Sequence, residues 1–158
     1  MRKFAIILAV VLTALCMTSS AAAAQSRQLS QQIHKGASGM TWLSNPVHAK
    51  FGTKHSRTRA VNHAYRILMD GLKSVGFYNG AVCIHGYEGS WTSDSNPTYK
   101  GGMQMDSGFQ YSYGSAYIRL WGAANQWPVW AQLHASYKAW TTRGWHPWPN
   151  TARYCNLL

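Results

Sequence analysis

Ala81-Val82-Cys83-Ile84-His85-Gly86-Tyr87-Glu88-Gly89-Ser90-Trp91 carries the only glutamate of the chain at the end of a short apolar stretch. Ala81 to Tyr87 reads as a helix that holds Cys83, and Gly89 breaks it directly after Glu88. A carboxyl group set against Tyr87 and Trp91 loses hydration, which favours its neutral form. A carboxyl kept neutral is what general-acid chemistry requires. A lone Glu is nevertheless more often a surface residue, so position alone makes Glu88 a candidate and no more.

Downstream, Thr92 to Thr98 is a turn cluster of Ser, Asp, Asn and Pro. Tyr99-Lys100-Gly101-Gly102-Met103-Gln104-Met105 follows and suits a small hairpin arm. Its glycines serve either a tight hairpin or the close approach of backbone to a ligand. Gln104 stands between two methionines, and a buried amide is costly unless bonded, so it is expected to point into a polar cleft. Asp106-Ser107-Gly108 reads as a helix start with Asp106 as the N-cap. Helical patches follow at 109–113, 117–121 and 128–140. The tail 144–155 contains Pro147 and Pro149 and is expected to be irregular.

Upstream, Val61, Tyr65, Leu68, Met69, Leu72 and Val75 recur at three- and four-residue steps, the mark of an amphipathic helix over 56–76. A core-packing helix with a solvated basic face explains it better than membrane binding. Residues 25–55 read as an irregular leader, with Trp42 and Leu43 docking on the domain.

The chain has 158 residues, 15 Lys and Arg against 4 Asp and Glu, and a formal charge of +11. Charged residues make up 12%, against the ~25% usual for soluble domains. The aromatic content of 13% excludes a disordered basic tail, which would bury too little. The scarcity of Glu excludes a coiled coil, and 14 glycines exclude collagen. The length suits one domain with one core.

Arg2 and Lys3, the apolar run Phe4 to Met17 and the small residues through Ala24 read as a secretory signal peptide, residues 1–24. The run is shorter than the ~20 residues a bilayer span requires. Removing it takes Cys16, Arg2 and Lys3, leaving a charge of +9. Cys83 and Cys155 then remain, and two cysteines in an exported chain suggest one disulfide. Only His85 lies near either thiol in ligand spacing, so no metal or other cofactor is expected.

Cys83 to Cys155 resembles the transglycosylase-like domain of the resuscitation-promoting factors. The matching features are Glu88-Gly89-Ser90-Trp91, the Tyr99-to-Met105 segment and the Trp127-Pro128-Val129-Trp130-Ala131-Gln132-Leu133 helix. Gly144-Trp145-His146-Pro147-Trp148-Pro149 before Cys155 completes the match. Three features depart from the family pattern: Cys83 stands five residues before the Glu, Cys155 is displaced from Trp148, and Gly89 interrupts the Glu-Ser pair. The resemblance implies a compact lysozyme-like domain with a Cys83–Cys155 disulfide; with the 56–76 helix, which lies outside the resemblance, the expected fold is α+β, mostly helical with a small β-hairpin, over 56–158. It implies a secreted, wall-associated bacterial protein that cuts peptidoglycan glycan strands, as a lytic transglycosylase or muramidase, with Glu88 as catalytic acid. Gln104 falls on the family's substrate-cleft glutamine.

Sugar rings present apolar faces to aromatic planes and hydroxyls to polar tips, so Trp91, Tyr99, Gly102 and Trp148 join Gln104 as candidate substrate-binding residues. The family manages with one carboxylate. Asp94 is more readily a turn residue and Asp106 a helix cap, while hydrolysis with either as base is the competing route. The expected partners are glycan strands and other wall hydrolases, without nucleic acid or stable membrane insertion, for a monomer. The reading from a different class is a non-catalytic cationic wall-binding module. A membrane-active or nucleic-acid-binding protein has charge alone in its favour.

Overall fold

The computed structural model describes residues 2–46, 48 and 53–158, with side chains from Ser20 onward. The signal-peptide expectation therefore falls largely outside the described side chains. No helix among the described residues is long and apolar enough to cross a membrane.

Among the described residues six α-helices run in the order α1 (Arg2–Ser44), α2 (Lys54–Ser74), α3 (Phe77–Glu88), α4 (Ser107–Trp121), α5 (Val129–Arg143) and α6 (Pro149–Tyr154). A 3-10 turn at Ala124–Gln126 precedes α5. Residues 25–44 are thus helical, which corrects the expected irregular leader. The cause is a narrow stripe of Ile33, Ala37 and Met40 at steps of four and three, masked in the sequence by polar neighbours. That stripe lies on α2. A Cβ on Gly36 would fall 2.7 Å from the Leu68 backbone nitrogen, and one on Gly71 would fall 2.5 Å from Ile33 Cγ1. The two backbones approach closely because these positions have no side chain.

α2 agrees closely with the expected amphipathic helix. Thr53 caps it by accepting from the Ser56 amide at 3.1 Å. Leu68, Met69 and Leu72 are buried, whereas Tyr65, counted in the same stripe, is exposed. α5 is the central helix, with α1, α2, α3 and α4 all packed on it. Trp130 to Tyr137 are buried without interruption, so this helix is enclosed all round. Phe77 at the start of α3 stacks on Trp145, with ring centroids 5.3 Å apart, and meets Tyr137 and Trp140 at angles.

The small β-hairpin is absent among the described residues. Lys100 and Met105 form an isolated antiparallel bridge instead, with paired amide–carbonyl bonds of 3.0 and 2.9 Å. Gly101 at φ 75° and Gln104 at φ 47° turn the chain too tightly for strands to extend. The fold is therefore mostly helical rather than α+β. Two expected patches, 109–113 and 117–121, merge into α4 with a kink at Gly114, where a Cβ would lie 2.1 Å from Trp127 Cη2. The tail also differs from expectation. Pro149 occupies the first turn of α6, where its missing N–H costs nothing.

Candidate active site

Glu88 is the last residue of α3, and α6 runs beside it. The Cys83–Cys155 disulfide joins these two helices, with Cα atoms 6.0 Å apart. Beyond it, Thr151 Oγ1 donates to Glu88 Oε1 at 2.8 Å. Advancing along α3 from 83 to 88 thus corresponds to retreating along α6 from 155 to 151. The covalent tie and the hydrogen bond together hold the partly exposed carboxylate in one place.

Glu88 lines a cleft of about 270 Å³ with Tyr99, Gln104, Pro147, Trp148, Pro149 and Asn150. Tyr99, Gln104, Pro147 and Trp148 also line an adjoining space of about 350 Å³ that reaches Asp106, Phe109, Tyr113 and Arg143. The two spaces share these four wall residues and make two arms of one groove, with Glu88 in one arm and Asp106 in the other.

The candidate residues separate into two groups. Gln104 and Tyr99 lie in both arms of the groove, and Tyr99 is exposed. Gln104 Nε2 donates to Gly101 O at 2.9 Å, which leaves its amide oxygen and a second Nε2 proton for a ligand. Trp148 contributes to the groove wall while almost wholly buried, with Nε1 donating to Met103 O at 2.8 Å. Trp91 and Gly102 line neither arm. Trp91 stacks on His85 at 3.8 Å, and Gly102 is wedged behind them, its carbonyl 3.2 Å from His85 Nδ1. A Cβ on Gly102 would lie 2.7 Å from both rings, so this glycine serves packing rather than ligand approach.

The other acids have structural partners. Asp94 forms an ion pair with Lys100 outside the groove. Asp106 caps α4, accepting from the Phe109 amide at 2.6 Å, as its sequence context indicated. Asp70 is exposed on α2. No group of side chains able to hold a metal ion occurs among the described residues.

Three positioning residues were not foreseen. Thr151 gave no signal, because its role depends on α6 lying beside α3. Gln132 is fully buried in α5 and has every polar atom engaged: Oε1 accepts from the Gly102 amide at 2.9 Å, and Nε2 donates to Trp91 O and Trp127 O at 2.8 and 3.0 Å. Gln110 likewise bonds Met105 O and the Ala124 amide, both at 2.9 Å. These amides pin the loop that supplies Tyr99 and Gln104 to the helical core. A lone amide in Trp130-Ala131-Gln132-Leu133 was the available signal, because a buried amide demands partners. No protein-family model, curated protein or solved structure matches this chain.

Proposed function

We propose that this protein is a secreted bacterial enzyme that cleaves the glycan strands of peptidoglycan through a single carboxyl group, Glu88, as a lytic transglycosylase of the resuscitation-promoting-factor type. The observation that carries this reading is a hydrogen-bonded Glu88 in a two-armed groove whose other carboxylate, Asp106, is engaged as a helix cap. Tyr99 offers aromatic surface along the groove, and Gln104 offers an amide oxygen to sugar hydroxyls or acetamido N–H groups. The mature charge of +9 favours residence on an anionic wall.

In this mechanism the neutral Glu88 carboxyl protonates the glycosidic oxygen as its bond to the anomeric carbon breaks. The hydroxymethyl oxygen of the same sugar closes on that carbon, aided by the acetamido oxygen. The Glu88 carboxylate takes the hydroxymethyl proton and returns to its starting form. No water is consumed, so the product carries an anhydro end.

Purified protein and its E88Q variant, incubated with peptidoglycan, test the proposal by product mass. Soluble fragments one water lighter than reducing-end products, from the wild type alone, are expected. Equal release by E88Q overturns the role of Glu88. Reducing ends point to hydrolysis, and retention on the wall without any release points to a binding module.

A further inference from the structure

A second cavity, of about 610 Å³, opens between the C-terminal part of α1, α4 and α5. Tyr113 lines both this cavity and the far arm of the groove. The cavity wall brings together the cations Lys138 and Arg119, the aromatic ring of Trp42, and the hydroxyls of Ser38, Thr41 and Ser115. It contains no carboxylate.

That lack cannot be made good by any acidic side chain of the molecule. The chain has four, and all lie elsewhere: Asp70 exposed on α2, Glu88 and Asp106 in the groove, and Asp94 on Lys100. Lys138 is partly buried, with Nζ donating to the Tyr113 carbonyl at 2.7 Å. An ammonium has three protons to donate, so this bond leaves capacity for an incoming acceptor. Burial pushes the Lys138 pKa down, the sign of a cation whose charge is poorly compensated.

Behind Lys138 the wall is firmly built. His134 lies between Tyr117, 2.5 Å from Nδ1, and His34, 2.8 Å from Nε2. Burial, with the nearby His34 and Lys138 charges, pushes the His134 pKa down to about 3, so the imidazole stays neutral near pH 7. At the mouth, Trp42 is 50% exposed and stacks on His48 with centroids 4.5 Å apart.

An aromatic plane suits the apolar face of a sugar ring, hydroxyls suit its hydroxyls, and an uncompensated cation suits a negative charge. A neutral sugar would leave Lys138 as it is, and a simple inorganic anion would make no use of Trp42. We propose that this cavity is a binding site for a carboxylate-bearing sugar, with the ring on Trp42 and the carboxylate on Lys138 and Arg119. The site is independent of bond cleavage at Glu88.

The test is titration of the full chain with N-acetylmuramic acid, N-acetylglucosamine and lactate, followed by calorimetry and by the imidazole NMR signals of His34 and His134. His134 lines this cavity, His34 is hydrogen-bonded to His134, and neither lines the groove. N-acetylmuramic acid is expected to bind about tenfold or more tightly than either the neutral sugar or lactate and to move both signals. Lys138→Gln should weaken its binding about tenfold, while Lys138→Arg keeps the charge and most of the affinity. The E88Q protein should bind it as the wild type does, which separates this site from cleavage. Equal affinity for N-acetylglucosamine, equal affinity for lactate, unmoved histidine signals or undiminished binding by Lys138→Gln each overturns the proposal.

Discussion

Thr151 Oγ1 donates a hydrogen bond to Glu88 Oε1 across 63 positions of sequence, and the Cys83–Cys155 disulfide spans the same pair of helices one turn away. The candidate acid is therefore oriented by a tie that includes a covalent bond. Thr151→Val keeps the shape and removes the donor. A hydrogen bond to the carboxylate that forms as Glu88 gives up its proton contributes about 1.5 kcal/mol, so a drop in kcat of about tenfold with little change in KM is expected. Muropeptide release at several substrate concentrations reads this out, and an unchanged kcat would mean that Thr151 only packs.

Replacing both cysteines by alanine, or reducing the bond, frees α6 from α3. The disulfide closes a separation of 72 residues, which corresponds to about 4 kcal/mol in the chain-entropy model. Denaturant unfolding should show a loss of that order. Activity between that of the wild type and that of Thr151→Val is expected, since the Thr151 donor is still present but less firmly held.

Gln132→Leu strands the Gly102 amide and the Trp91 and Trp127 carbonyls. Losing three buried bonds should cost about 3 kcal/mol or more and lower the melting temperature by roughly 10 °C. A melting temperature within a degree of the wild type would show that water replaces the amide.

The buried His134 predicts acid sensitivity. Its folded pKa, pushed down to about 3, lies below the unfolded value of 6.5. Above pH 6.5 neither state is protonated at this group and it adds no pH dependence. Below that, the unfolded state gains a proton that the native state refuses, so stability falls progressively from pH 6.5 towards pH 3. By pH 5 the loss is about 2 kcal/mol. His34, whose pKa is also lowered, chiefly by burial, shifts stability in the same direction. Unfolding free energies from pH 7 to pH 4 should decline less steeply in His134→Gln, and identical slopes would exclude His134 as the source.

Much of the candidate site could be read locally. Glu88 before a helix-breaking glycine, Gln104 in a tight turn, Asp106 as a cap and the cysteine pair each follow from a few neighbouring letters. Trp91 and Gly102 pack against His85 and line neither arm of the groove, which the sequence does not record: an aromatic ring or a glycine looks the same there whether it faces a ligand or fills the core. The second helix of the α1–α2 pair was legible by its periodicity, whereas its partner was hidden because glycine and alanine form the contact face.

Composition and short-range pattern by themselves determined an excess of positive charge, most helix positions, the two candidate disulfide cysteines and the scarcity of acids. These depend on counting and on interactions within a turn or two of backbone. Only the tertiary structure decided that Thr151 orients Glu88, that Gln132 anchors the turn carrying Gln104, and that Lys138 lies partly buried beyond the reach of every acidic side chain. Those relations join residues 25 to 63 positions apart and arise only when helices pack, which no local spacing records.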